Sequence, residues 1–72
     1  MLIKWNNTFE VEVVGNWDKK RGIISNYYDK IIKENQVDNI EIIEEYGDFV
    51  DMQLESGEYI LCVYKKTFDL VN

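Results

Sequence analysis

The side chains that could carry chemistry in this sequence are mostly carboxylates, and they are concentrated in its second half. The chain of 72 residues has 14 Asp or Glu, eight Lys or Arg and no His, for a formal net charge of −6. Residues 37–72 contain nine of the acidic side chains and only two of the basic ones. Paired carboxylates catalyse reactions only where a cleft raises the pKa of one of them, and a chain this short has little interior for such a cleft. The pattern therefore favours electrostatic binding over catalysis, and we expect no enzymatic activity.

The remaining reactive residue types exclude most cofactor and metal sites. Without His there is no imidazole base and no histidine ligand for zinc, copper or iron. Cys62 is the only cysteine, so it cannot form an internal disulfide or a cysteine-rich metal site. No calcium-loop spacing and no glycine-rich phosphate loop occurs. We expect no cofactor and no metal, and a lone thiol favours a reducing, cytoplasmic location. No apolar run is long enough for a signal peptide or a membrane span.

The chain has no linker-like stretch and no internal repeat, so we expect a single domain over residues 1–72. At its start, Phe9, Val11 and Val13 alternate with polar residues, which is typical of a strand. Ile3 and Trp5 also stand at odd positions, so in an extended chain they would lie on the same face as these apolar residues. Two interpretations stay open here: one long strand over about residues 2–14, or a hairpin with residues 6–8 as its loop.

The middle of the chain has the spacing of an amphipathic helix. Ile23, Tyr27 and Ile31 recur every four residues, and each is followed by another apolar residue. The pattern predicts a helix over about residues 19–35, with Asp18 as its N-cap. The predicted fold class is therefore α+β: one amphipathic helix packed on a mostly antiparallel sheet, in the order β(β)-α-β-β-β.

The last half predicts a three-stranded antiparallel meander over about residues 40–46, 49–55 and 58–66. A shared apolar face requires Tyr46 to lie opposite Val50 across a three-residue loop. A two-residue loop at 56–57 then sets Glu55 opposite Glu58. The third strand is apolar on both faces, which is typical of an interior strand or of a sheet whose second face is covered.

This register would bring acidic residues together on the outward face of the meander. Glu45 would lie opposite Asp51, and Glu55 would lie between Glu41 and Glu58, at a cost of about 0.8 kcal/mol for each like-charge contact. Nothing in folding rewards that cost, so the cluster is either a solubilising surface or a docking face for a basic partner. The predicted partner-binding residues are the five acids and the apolar residues beside them: Glu41, Glu45, Asp51, Glu55, Glu58, Ile43, Ile60, Tyr64 and Phe49.

No residue motif identifies a family. In size, acidity and composition the chain resembles small accessory proteins of phages and mobile elements, and that likeness implies a protein that docks on and inhibits a larger host protein. The host protein would have a basic surface, and the acidic face could act as a nucleic-acid mimic in a nucleic-acid-processing enzyme. The alternative is a small homodimeric structural or regulatory domain. A third hypothesis, an RNA or DNA binder through Lys19, Lys20 and Arg21, is opposed by the net charge.

Overall fold

The computed structural model describes residues 1–71, and these residues form an almost entirely antiparallel β-sheet protein. Its seven strands are, in chain order, β1 (Leu2–Trp5), β2 (Phe9–Asp18), β3 (Ile23–Ile32), β4 (Val37–Tyr46), β5 (Phe49–Leu54), β6 (Tyr59–Tyr64) and β7 (Phe68–Leu70). A single 3-10 turn, Lys65–Thr67, is the only helical element in this part of the chain. No helix among these residues is long and apolar enough to cross a membrane.

The predicted amphipathic helix is wrong, and with it the α+β fold class, because the segment forms strand β3. It pairs antiparallel with β2 from Phe9 opposite Ile32 to Asp18 opposite Ile23. A spacing of four residues satisfies the two-residue period of a strand as well as the turn of a helix. Isoleucine and tyrosine favour strands because their side chains pack well on a pleated surface. Asp18 caps no helix; its Oδ1 accepts a hydrogen bond from the Arg21 amide in the hairpin turn, at 3.3 Å.

Both interpretations of the N-terminus are also wrong. The chain does leave its extended course at residues 6–8, but β1 and β2 are not paired with each other. β1 lies between β4 and β7, and the strand order of the sheet is β3-β2-β6-β5-β4-β1-β7. β4 is long enough to pair with two strands along its length. Its first residues, from Val37, pair with β1, and its residues from Ile40 onward pair with β5. β4, β5 and β6 form the expected antiparallel succession, and β6 is an interior strand as predicted.

Trp5 lies at the centre of the core, where it joins several strands. Its side chain is fully buried, and its Nε1 donates a hydrogen bond to Asp38 Oδ2 at 2.8 Å. The indole makes edge contacts with Phe9 of β2 and Phe68 of β7, at centroid distances of 5.6 and 5.8 Å. The other buried residues of the core come from β1 to β6: Ile3, Val13, Ile32, Ile40, Val50, Met52, Ile60 and Val63. With no helix to cover it, the sheet buries its apolar side chains against itself.

The β2–β3 hairpin is coiled at Gly15 and Asn26. Asn26 has a φ of 56°, in the left-handed region that asparagine tolerates better than most residues. A Cβ atom at position 15 would lie 2.9 Å from the Asn26 carbonyl oxygen, so only glycine fits opposite it. Beyond this point Trp17 packs edge-on against Tyr59, at 5.5 Å between centroids. The tip of the hairpin therefore lies over β6 and the strands beside it.

Replacing Trp5 by phenylalanine tests its central position. Trp5→Phe removes the hydrogen bond to Asp38 and leaves a small cavity, so we expect the free energy of unfolding to fall by about 2 kcal/mol. Trp17→Phe is the matched control, because Trp17 is only partly buried, and should cost less than about 1 kcal/mol. Urea unfolding followed by circular dichroism measures both. Equal losses in the two variants would contradict the central role of Trp5.

Candidate partner-binding site

The strands that carry the acidic residues are paired in a different register from the predicted one. Glu45 lies opposite Val50, and Glu41 lies opposite Gln53, so neither meets an acidic residue. The register shifts by one residue at Ile43, where β4 contains a bulge. Past the bulge every pair is shifted by one residue, so Glu45 lies opposite the buried Val50, whereas the prediction had derived the register from loop length alone.

The two turns of the meander explain the rest of the shift. Tyr46 pairs with Phe49 across the two-residue turn 47–48, whereas the prediction placed a three-residue loop here. Gly47, with a φ of 64°, supplies the backbone conformation that this tight turn needs. At the second turn the Leu54 amide donates to the Glu58 carbonyl oxygen at 2.7 Å, so Glu58 does not lie opposite Glu55. None of the three predicted like-charge contacts forms.

A second bulge lies in β6 at Leu61 and Cys62, opposite Asp51. Asp51 is the only buried charged side chain among residues 1–71, with 5% of its surface exposed. Its Oδ1 accepts hydrogen bonds from the Cys62 amide at 2.9 Å and from the Tyr46 hydroxyl at 2.6 Å. Cys62 adopts a φ of 57°, and past the bulge Val50 pairs with Val63, the pairing that the predicted register with Glu55 opposite Glu58 also implies. The carboxylate thus holds the bulge in place.

Tyr46 completes this network. Its hydroxyl lies 3.2 Å from the Cys62 Sγ as well as beside Asp51. The hydrogen bond to the Asp51 carboxylate, and secondarily the contact with Cys62, raises the pKa of Tyr46 well above its usual range, because ionisation would place two negative charges side by side. Tyr46 therefore stays protonated and serves as a donor.

The other predicted partner-binding residues differ in burial and in the contacts they make. Ile60 is buried in the core, and Ile43 is partly buried at its bulge. Glu45 forms an ion pair with Lys65, and Glu58 accepts a hydrogen bond from the Ser56 hydroxyl at 2.9 Å. Hydrogen bonding to the Tyr28 hydroxyl, and then to Ser56, lowers the pKa of Glu58. The remaining members are exposed and lie together in pairs: Phe49 beside Tyr64, with ring centroids 5.5 Å apart, and Glu41 with Glu55 in one depression of the surface. The continuous acidic face inferred from the predicted register therefore does not form.

The basic triplet of the third hypothesis lies at the tip of the β2–β3 hairpin. Lys19 Nζ is 3.4 Å from the Glu44 carboxylate, and Arg21 Nε is 3.6 Å from that of Asp18. These pairs are exposed and worth little in stability, but each cancels a positive charge that a nucleic acid would need. The triplet is therefore a weak site for phosphate groups.

A groove between β2 and β6 is the feature best suited to hold a partner. The two strands are paired at one position, Val14 opposite Tyr59, and diverge beyond it. The opening between them has a volume of about 340 Å³. Its floor consists of the buried and half-buried apolar lining residues, Phe9, Val11, Val14, Ile60, Leu61 and Val63. The exposed Ile24 of β3 also lines the groove. Its rim carries Glu10 and Glu12 on the β2 side and Cys62 and Tyr64 on the β6 side.

The β6 bulge accounts for this opening. A bulge bends its strand and increases the local twist, and Cys62 lies just beyond the position where pairing with β2 stops. Within residues 1–71, residues 9–12 of β2 are paired with β3 on one side only. Both walls of the groove are therefore strand edges, although on the β6 wall the Cys62 amide and the Tyr64 carbonyl are already hydrogen-bonded, to Asp51 and Thr67.

Two residues of the predicted site, Ile60 and Tyr64, lie in this groove, but the acidic residues of its rim were missed. Glu10 and Glu12 alternate with apolar residues, and that pattern is equally typical of any half-exposed strand. The sequence did contain a weaker signal, the two adjacent valines Val13 and Val14, since consecutive apolar residues are typical of a strand that is covered on both faces. Both are buried in the structure.

Comparison of the chain with protein-family models, curated proteins and solved structures finds no match. The interpretation of the groove therefore depends on its geometry and charge.

Removal of the Asp51 carboxylate tests whether it holds the bulge. Asp51→Ala leaves the Cys62 amide and the Tyr46 hydroxyl without their acceptor, so we expect the free energy of unfolding to fall by about 2 to 4 kcal/mol. Glu44→Ala, which changes the exposed residue opposite Asp51, should cost less than about 1 kcal/mol. Chemical denaturation of both variants gives the comparison, and a loss below 1 kcal/mol for Asp51→Ala would refute the role of this carboxylate.

The raised pKa of Tyr46 predicts how stability changes in alkali. The folded state favours the protonated hydroxyl, so its contribution is complete below about pH 10, the usual tyrosine pKa, and is lost as the pH rises further. Tyr46→Phe should therefore show a shallower loss of unfolding free energy above that pH. In an absorbance titration of folded Tyr46→Phe, the tyrosine component with the highest pKa should be absent. Tyr64→Phe, of almost equal exposure, should retain that component, and its loss there would contradict the assignment.

Proposed function

We propose that this chain is a non-catalytic binding protein that holds an extended, positively charged segment of a larger protein in the groove between β2 and β6. The observation that carries the proposal is an apolar groove bounded by two strand edges, with acidic side chains on its rim. Each of these three properties recognises a different feature of the bound segment.

The strand edges recognise the backbone. A peptide in extended conformation can add to an exposed strand edge and exchange hydrogen bonds with its free N–H and C=O groups. Residues 9–12 of β2 span about 13 Å, which accommodates about four residues of such a peptide. These hydrogen bonds would also satisfy the backbone groups that the divergence of β2 and β6 leaves open.

The floor and the rim recognise the side chains. In an extended segment, alternate side chains point to opposite faces, so one set would enter the apolar floor while the other faced outward. Glu10 and Glu12 are two residues apart on β2, with a separation of about 7 Å along the strand. Lysine or arginine residues at the same spacing in the partner would match them. Glu12 also lies opposite Asp29 of β3, and such a like-charge pair is relieved when a cation binds beside it.

The rest of the molecule contributes a long-range field. The net charge of −6 attracts a basic partner before contact and increases the rate of association at low ionic strength. Exposed acids outside the groove, such as Glu41 and Glu55, would act in this way. The sequence-based expectations of inhibition of a host protein, of a phage or mobile-element origin and of a cytoplasmic location stay predictions; the last depends on the single thiol of Cys62.

The proposal is tested with a fluorescent peptide of alternating valine and lysine as the probe. Glu10→Lys combined with Glu12→Lys should weaken its binding by about tenfold or more, because the rim then repels the probe. Glu41→Lys combined with Glu55→Lys changes the net charge by the same amount away from the groove and should weaken binding by less than about threefold. Fluorescence anisotropy at two salt concentrations gives both affinities, and circular dichroism verifies folding.

Three results would overturn the proposal. The first is no binding of the valine–lysine peptide to the wild-type protein, and the second is equal loss in the two double variants, which would show a response to net charge alone. The third is equal binding of a matched peptide of alternating valine and glutamate, which would show that the acidic rim has no role.

A further inference from the structure

Strand β3 exposes more apolar surface than any other strand of the protein. It is an edge strand of ten residues, and nine of them are exposed. Ile23, Tyr27 and Ile31 expose 55%, 58% and 51% of their surface, and Ile24 and Tyr28 are also exposed. Long, apolar edge strands are rare in proteins that stay monomeric, because their free backbone groups pair with other strands.

The three most exposed apolar residues of β3 are placed symmetrically about Tyr27. Ile23 precedes Tyr27 by four positions, and Ile31 follows it by four. A two-fold symmetric contact requires such self-complementarity, since residue i of one copy must meet residue j of the other and the reverse. A strand that received an unrelated partner would have no need of this symmetry.

We propose that two copies of this chain associate through their β3 strands, antiparallel and centred on Tyr27. In this arrangement Tyr27 lies beside Tyr27 of the second copy, and each Ile23 lies opposite an Ile31. Asn26, with its left-handed backbone, coils the strand between Ile23 and Tyr27. In the dimer the two backbones therefore approach each other most closely at Tyr27, and the isoleucine residues meet through their side chains alone.

The charges of β3 agree with this register. Asp29 falls opposite Ser25, and Lys30 falls opposite Ile24, so no pair of like charges is created between residues 23 and 31. A register centred on Asp29 or on Lys30 would instead set that residue against its own copy. Centring on Tyr27 therefore avoids the like-charge contacts of those registers, and it also sets the exposed Ile23 opposite the exposed Ile31.

The exposed apolar area at this edge suits a reversible association. With about 150 to 250 Å² for a whole aromatic side chain, the exposed part of Tyr27 amounts to about 100 Å² in each copy. Ile23 and Ile31, each more than half exposed, extend the apolar patch on either side of it. The other edge strand, β7, has only three residues and follows Lys65 and Lys66, which makes it a poorer pairing edge.

This self-association goes beyond the proposed peptide binding and is independent of it. β3 borders β2 on the side opposite β6, and although its Ile24 lines the groove, the residues at the dimer contact, Ile23, Tyr27 and Ile31, do not. Loss of dimerisation with intact peptide binding, or the reverse, distinguishes failure of one proposal from failure of the other.

Sedimentation velocity over a range of concentrations tests the dimer. We expect a reversible monomer–dimer equilibrium, and Tyr27→Lys should raise its dissociation constant by about thirtyfold or more, because two ammonium groups would meet at the symmetry axis. Leu70→Lys, at the equally exposed Leu70 of β7, is the matched control and should leave the equilibrium unchanged. A wild-type protein that is monomeric at all concentrations, or equal effects of the two variants, would overturn the proposal.

Cysteine cross-linking tests the register without a destabilising charge. In a Cys62→Ser background, Tyr27→Cys should give a disulfide-linked dimer under mild oxidation, because residues opposite each other in paired strands have Cβ atoms about 4.5 to 5.5 Å apart, close to disulfide reach. A mixture of Ile23→Cys and Ile31→Cys chains should cross-link as the mixed pair. Leu70→Cys should not cross-link. Cross-linking of Leu70→Cys as fast as Tyr27→Cys would refute the β3 contact.

Discussion

The hydrogen bond from the Cys62 amide to the buried Asp51 carboxylate is the interaction on which the candidate site depends. It holds Cys62 in a left-handed conformation and so fixes the bulge in β6. The bulge restores the pairing of Val50 with Val63, which keeps β6 in the core. It also bends β6 away from β2 and opens the groove. A buried carboxylate is costly unless it is fully hydrogen-bonded, and here Tyr46 donates the second bond.

Bulges solve a packing problem that is general for a small all-β chain. With no helix to cover the sheet, its strands must coil until their apolar side chains meet, and regular strands coil only gradually. Bulges in β4 and β6, and the left-handed Asn26 opposite Gly15, supply the additional curvature. The cost is incomplete pairing where two strands diverge. The groove is thus a consequence of coiling the sheet around Trp5. The exposed edge of β3 arises because β3 ends the strand order and has no further strand beside it.

The two proposed interactions use different chemistry at neighbouring places. The groove combines free backbone groups with carboxylates, which suits a charged segment and a salt-dependent encounter. The β3 edge is apolar and nearly free of charge conflict, which suits association with an identical surface. Both lie on the β2–β3 hairpin, one on each side of β2. A dimer would therefore present two grooves, and a partner with two basic segments would bind it more tightly than either groove alone.

The sequence by itself determined the strands β4, β5 and β6 and the total charge, because these follow from local alternation and composition. It did not determine β3, because a spacing of four residues agrees with helix and strand alike, and the choice depends on pairing with β2. Nor did it determine the register of the acidic residues. One bulge moves every later side chain to another partner, and bulges arise from contacts such as that of Asp51 with Cys62, which join residues distant in the chain. Only the tertiary structure could bring Glu10, Ile60 and Tyr64 to one groove.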